Sequence, residues 1–113
     1  MSKINDLMAR GTELLGSDYA ILCGAMSWVS ERHLVSAISN AGGFGVIACG
    51  AMTPELLDAE IAATKTLAKR NFGVNLITMH PQLFDLIDVC AKHEVGHVVL
   101  AGGLPPKGSL VVI

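Results

Sequence analysis

The sequence is short of charge. Lys, Arg, Asp and Glu make up 16% of its 113 residues, against about a quarter in an average soluble domain. Two readings follow: strands buried on both faces, or a surface that another partner covers. Basic excess is absent as well. The formal net charge is −2, so a nucleic-acid partner is not indicated. No C-x-x-C pair is present, and the three cysteines, Cys23, Cys49 and Cys90, are scattered. Free thiols in a reducing cytoplasm are the simplest account, and no metal site is expected. The start, Met1-Ser-Lys-Ile-Asn-Asp, has no apolar leader. The window between Arg32 and Glu55 holds no Asp, Glu, Lys or Arg. Asn40, four glycines, two serines and Pro54 interrupt it, so no membrane span is expected.

What is present is a series of short apolar runs. The first, Ala20 to Cys23, is bounded by polar residues before it and Gly24 after it, as a buried strand is. Gly24 and Ala25 carry almost no side chain, so a flat ligand could lie against their backbone. Met26 adds a soft surface, and Trp28 is the only Trp. The stretch has the character of a parallel strand that opens into a ligand site.

A helix is predicted over residues 4–15, with Ile4, Leu7, Met8 and Leu15 on one stripe and Gly11 interrupting it. After the first strand, Ser30 is predicted to cap a second helix with Glu31 in its first turn. The i, i+3, i+4, i+7 spacing of Leu34, Ala37, Ile38 and Ala41 predicts its buried face. Gly42-Gly43-Phe44-Gly45 leads into a second strand, Val46 to Cys49. Thr53-Pro54 is a helix start, N-cap then Pro, with Leu57, Ile61, Thr64 and Ala68 inward. A third strand covers Phe72 to Thr78. His80-Pro81 opens a helix with Leu83, Leu86, Ile87 and Cys90 inward, and a fourth strand covers His97 to Ala101. Strand starts near 20, 46, 72 and 97 predict βα units, a parallel sheet in the order 1-2-3-4 and outer helices, in one domain spanning 1–113. An order of 2-1-3-4 would instead mean a flavodoxin-like module.

In parallel α/β architectures the site lies at the C-terminal ends of the strands. Alternation puts Phe72, Val74 and Leu76 on one side and Gly73, Asn75 and Ile77 on the other. Asn75 then faces away from the helices, either as a satisfied structural amide or as a contact for a polar heterocycle such as a flavin. Gly42 to Gly45 is not a phosphate loop, because it follows a helix and opens a strand. Among the histidines only His80 is near the strand ends. No Ser-His-Asp set, paired carboxylates or metal cluster can be assembled, so no catalytic residue is assigned.

Four segments together resemble the nitronate monooxygenases, formerly 2-nitropropane dioxygenases, and their relatives the flavin-dependent enoyl-acyl-carrier-protein reductases. They are Tyr-Ala-Ile-Leu-Cys-Gly-Ala-Met-Ser-Trp at 19–28, Asn-Ala-Gly-Gly-Phe-Gly at 40–45, Phe-Gly-Val-Asn at 72–75 and Ala-Gly-Gly-Leu-Pro-Pro at 101–106. The resemblance runs from about residue 4 to 108. It implies the first half of an FMN-binding (β/α)8 barrel, with Gly24, Ala25 and Met26 along the flavin ring and Asn75 hydrogen-bonded to it. It also implies oxidation of an alkyl nitronate by oxygen, with a His base later in the family's chain. Position 20 is Ala where the family has Pro, and Ser109-Leu-Val-Val-Ile stands where the family has a helix.

A full barrel needs roughly 250 residues. This chain is therefore expected to be an N-terminal portion with the last helix missing, not competent alone and able to self-associate through open sheet edges. A non-catalytic half-barrel or small binding module is the alternative.

Overall fold

The computed structural model describes residues 2–109. They form α1 (Ser2–Leu15), β1 (Leu22–Cys23), α2 (Arg32–Asn40), β2 (Phe44–Ala48), α3 (Pro54–Leu67), β3 (Phe72–Ile77), α4 (Leu83–Lys92) and β4 (Val98–Ala101). Residues 110–113, where the sequence departs from the family's helix, lie outside the described residues.

The strands make one parallel sheet in the order β1-β2-β3-β4. Sequential order with a helix between successive strands is the layout of a (β/α)8 barrel's first half, and it excludes the flavodoxin-like order. Strand starts at 22, 44, 72 and 98 are less evenly spaced than predicted. β1 is only two residues long, although the chain before it still bonds to the segment that opens β2. There Tyr19 N–H donates to Gly42 O (3.0 Å) and Ile21 O accepts from Phe44 N–H (2.9 Å).

Alternation sorts each strand between two faces. Ile47 and Cys49 in and after β2, and Val74 and Leu76 in β3, join Leu57, Ile61, Leu83, Leu86, Ile87 and Cys90 of the helices in one core. Phe72, Val98 and Leu100 pack against it. Gly73, Asn75 and Ile77 therefore face the other way, as alternation predicts. The α4 stripe lies inward as predicted, and so do Leu57, Ile61 and Thr64 of α3 with Glu60 added, whereas Ala68 falls just past the helix as its C-cap and is half-buried.

α2 differs from expectation in its cap and its buried face. The N-cap of α2 is Glu31, whose carboxylate accepts from His33 N–H and Leu34 N–H, both at 3.0 Å. Ser30 is buried one residue earlier, its hydroxyl occupied elsewhere. The buried face of α2 is Val35, Ser36 and Ser39, while Ala37 and Ala41 are exposed. The reason is close approach to β2. A Cβ built on Gly45 would sit 2.5 Å from Val35 O, and Ser39 Oγ accepts from Gly45 N–H at 3.0 Å. Small side chains are needed there, so the larger Leu34–Ile38 stripe is displaced sideways. The predicted α1 helix is present, and its stripe is partly covered: Leu7 is 83% exposed and Ile4 is exposed, while Met8 and Leu15 are half-buried. The helix touches the sheet's N-terminal end through Leu14 O, which lies 2.6 Å from His97 Nε2.

Candidate functional site

The C-terminal ends of the strands carry the loops that begin at Gly24, Cys49, Thr78 and Gly102. After β1 the chain stays exposed from Gly24 through Val29, apart from half-buried Ala25. Gly24 keeps an open front, since a Cβ built there meets nothing within 4 Å. The loop closes as a tight turn. Val29 N–H and Ser30 N–H both donate to Met26 O, at 3.0 and 2.8 Å. Inside it Trp28, 70% exposed, has a φ of 63°, a left-handed conformation rare for a bulky residue.

Ser30 fastens this turn. It is 2% exposed, and its Oγ accepts from Met26 N–H at 2.9 Å and lies 3.5 Å from Gly24 O. Its own carbonyl accepts from Ala48 N–H at 3.0 Å. Ala48 is the residue of β2 in register with Asn75 of β3. The base of the Gly24–Met26 loop and Asn75 thus flank one residue of β2, with strands about 4.8 Å apart. Asn75 is half-buried. Its carbonyl accepts from Cys49 N–H, but its side-chain amide makes no hydrogen bond among the described residues. The N–H groups of Ala25 and Ser27 likewise have no protein partner among them.

His80 is a structural residue. Its Nδ1 accepts from Gln82 N–H at 3.0 Å, and its Nε2 lies 2.9 Å from Met52 O. An acceptor at Nδ1 fixes the Nε2–H tautomer, which donates to Met52 O. With both nitrogens engaged, His80 ties the loop after β3 to the loop after β2. It also displaces the predicted helix start: α4 begins at Leu83, not at Pro81. Thr78 ends β3 buried, its Oγ1 without a hydrogen bond among the described residues. The sequence offered no sign of this, nor of the Ser30 tether, because both depend on tertiary neighbours.

Cys49 and Cys90 are core residues, unsuited to act as nucleophiles. Burial pushes the Cys49 thiol up to about 11. Burial and then the neighbouring Cys49 push Cys90 up to about 12. All three are free. No His/Cys/Asp/Glu cluster able to hold a metal occurs among the described residues, and no helix among them is long and apolar enough to cross a membrane.

Behind the loop, α2 is clamped to α3. Glu60 Oε2 accepts from Arg32 N–H at 2.7 Å and Nε–H at 3.2 Å, and Oε1 accepts from Nη2–H at 2.9 Å. Burial is the largest single influence on Glu60 and raises its pKa. The hydrogen bonds and charge of Arg32 together outweigh it, so the carboxyl ends below its ordinary value of 4.5. The sign for stability follows from the lowered value. The clamp's contribution is complete above pH 4.5 and fades as acid protonates the folded carboxylate. Glu60→Gln is expected to cost about 1–2 kcal/mol at pH 7. Its deficit against the unsubstituted chain should shrink as pH falls through the lowered Glu60 value, as urea melts along an acid series would show.

A cleft of about 340 Å3, lined by Lys65, Lys69, Arg70, Glu94 and His97 among others, opens at the opposite end of the sheet. It lies beside the strands' N-terminal ends, away from the loops that carry sites in parallel α/β folds, and it holds none of the predicted site residues.

A family model described as nitronate monooxygenase matches residues 9–102. The chain is 34% identical over 100 residues to the (3aS,4S,5R,7aS)-5-hydroxy-7a-methyl-1-oxo-octahydro-1H-indene-4-carboxyl-CoA dehydrogenase of Mycobacterium tuberculosis, covering 88% of this chain and 28% of that protein. It is 32% identical over 75 residues to a probable nitronate monooxygenase of Staphylococcus aureus, covering 66% and 21%. FabK from Thermotoga maritima aligns with a TM-score of 0.81 and 38% identity, over 83% of this chain and 30% of that one. Nitroalkane oxidase from Streptomyces ansochromogenes aligns with a TM-score of 0.76 over 89% and 38%, at 22% identity, a likeness of fold. The chain thus spans between 21% and 38% of the length of these relatives.

Proposed function

Because the chain belongs to the nitronate monooxygenase family, we propose that it supplies the first four βα units of an FMN-dependent oxidoreductase that oxidises alkyl nitronates with oxygen. The observation that carries this is the pairing of an unpartnered Asn75 amide with an open-fronted Gly24 loop, on either side of Ala48. A buried amide left without a partner costs roughly 1–3 kcal/mol, so a half-buried one at a strand's C-terminal end is suited to a ligand. The residues fit the ring of a flavin. Gly24 and Ala25 leave room for a flat face, Met26 offers a polarisable contact, and Asn75 and the Ala25 N–H can hydrogen-bond the ring's polar rim.

FMN, when bound, supplies the electron-accepting ring for the oxidation. The chain's own part is to bind and orient that ring. It contributes less to the phosphate. The loops 24–29, 50–53 and 78–82 contain no Lys or Arg and the loop after β4 holds only Lys107, whereas a near-dianion needs several donors. It also contributes no evident base, since both His80 nitrogens are engaged and His97 lies at the other end of the sheet. A missing general base alone costs about 10²–10⁴-fold in rate.

The expected result is saturable FMN binding by the isolated chain with a Kd weaker than about 10 μM, and no nitronate turnover. Flavin fluorescence titration and oxygen uptake with an alkyl nitronate test this. Turnover by a monomer would show that four units suffice and that the base lies elsewhere. The same sample on a sizing column tests self-association. The outer strand segments carry exposed Tyr19, Ile21, Leu22 and Val99 with no charge or proline to protect the edges. Pairing with a second copy is the outcome we propose. The free thiols support a cytoplasmic setting.

A second reading, flavin-dependent enoyl-acyl-carrier-protein reduction, is supported by the 38% identity to FabK against 22% to the nitroalkane oxidase. Both readings place the flavin ring on the same loop and the same Asn75.

A further inference from the structure

The loop after β1 is exposed and rich in small residues, yet it is held in a single strained shape. An exposed loop of this composition would ordinarily be free to move, because few apolar contacts restrain it. Trp28 is held at a φ of 63°, where a bulky residue is costly and persists only if its surroundings over-determine it. Something must therefore fix the turn.

The fixing group is one buried side chain. Ser30 uses each of its hydrogen-bonding groups on the loop or its support. Its Oγ accepts from Met26 N–H (2.9 Å) and lies 3.5 Å from Gly24 O. Its N–H donates to Met26 O (2.8 Å), and its carbonyl accepts from Ala48 N–H (3.0 Å). Two residues further on, Arg32 N–H is held by Glu60 at 2.7 Å, so the anchor itself cannot drift. The consequence is selective. The Met26 N–H and the Gly24 carbonyl are turned inward to Ser30, while the Ala25 and Ser27 N–H groups keep no protein partner among the described residues.

We infer that Ser30 is the positioning residue of the flavin-facing loop: its hydroxyl sequesters the Met26 amide, sets the Gly24–Met26 backbone level with Asn75 and leaves the Ala25 and Ser27 N–H groups as the loop's free donors to the ring. The inference rests on the flavin reading above. Ser30 does not itself touch the ring in this arrangement. Its effect is on the shape of the loop that does, and hence on how much of the binding energy is lost to ordering it.

The test uses the full chain with Ser30→Ala, Ser30→Cys and Ser30→Thr. Cys preserves the volume but accepts hydrogen bonds weakly, and Thr keeps the hydroxyl. Two readouts need no flavin: hydrogen exchange at the Met26 amide, and the anisotropy of Trp28, the single Trp. Ala and Cys are expected to speed Met26 exchange by about tenfold or more, with Val74 and Leu76 of β3 unchanged as the fold control. Trp28 anisotropy should fall with them. FMN affinity should weaken by about tenfold, with Thr restoring it. If Ala disturbs the β3 amides, the Cys variant carries the comparison. Unchanged Met26 exchange in the Cys variant overturns the inference, whatever the flavin does. Faster exchange with unchanged FMN affinity overturns the cofactor role of the tether. Failure of the flavin reading shows separately, as no saturable quenching by the unsubstituted chain up to about 1 mM FMN.

Discussion

Gly45→Ala is expected to lower the melting temperature by more than about 12 °C, while Gly24→Ala leaves it within about 2 °C. Gly24 stands alone in its stretch and Gly45 closes a glycine cluster, but only the structure shows which of them a side chain would clash at. A Cβ at position 45 would lie 2.5 Å from Val35 O and 2.9 Å from both Val35 Cα and Cγ1. Two of these three atoms are backbone, so no rotamer change relieves the clash, and α2 would have to lift off β2.

The helix is not free to lift. Glu60 holds its first residue through Arg32. At its other end Asn40 Nδ2–H donates to Leu67 O at 3.0 Å, and Asn40 Oδ1 accepts from Lys69 N–H at 2.7 Å. Overpacking against such a support costs about 3 kcal/mol or more, and each kcal/mol shifts a domain of this size by about 4 °C. At Gly24 a Cβ meets nothing within 4 Å, so its cost is slight. Paired thermal melts by circular dichroism decide the matter. An unshifted Gly45→Ala would mean that α2 does not press on β2 at this point.

The same contact explains what could and could not be read from the sequence. Strand and helix order was legible because it depends on local period and on punctuation such as Thr53-Pro54, which caps α3 as predicted. The side on which Asn75 lies was legible for the same reason, from a period of two in six residues of β3. The α2 face was misread although its apolar spacing is helical. Spacing identifies a stripe but not the distance of closest approach, and Gly45 demands small residues there, Ser36 and Ser39 beside Val35.

Ser30 and Glu31 are both competent caps by type. Only the presence of Met26 N–H near Ser30 Oγ decides which one serves α2. Long-range polar pairs left no local mark at all. Arg32 and Glu60 are 28 residues apart, and nothing in either neighbourhood names the other. The α1 stripe, half covered in the structure, shows that amphipathic spacing reports a face that needs cover, not one that has it.

Asn75→Ala is expected to weaken FMN binding by roughly 5- to 150-fold, the equivalent of about 1–3 kcal/mol for a hydrogen bond lost in a shielded site. The fold should lose less than about 1 kcal/mol, because the Asn75 amide makes no hydrogen bond within the described residues that the substitution could break. This asymmetry distinguishes the two accounts of the residue. A structural amide would lower stability by more than it lowers flavin affinity, whereas a ligand contact does the reverse.

Asn75→Asp sharpens the comparison, since it keeps the shape and removes both N–H donors. The isoalloxazine rim carries more acceptors than donors, so the Asp variant should bind FMN as weakly as the Ala variant. Denaturant melts of all three proteins, beside flavin fluorescence titrations at one pH and salt, give both numbers. Equal FMN affinity in all three would move the ring away from β3. A stability loss of several kcal/mol with unchanged affinity would return Asn75 to the core as a structural amide. Retained stability with weakened binding leaves the ligand contact as the role that accounts for an amide kept half-buried and unpaired beside Ala48.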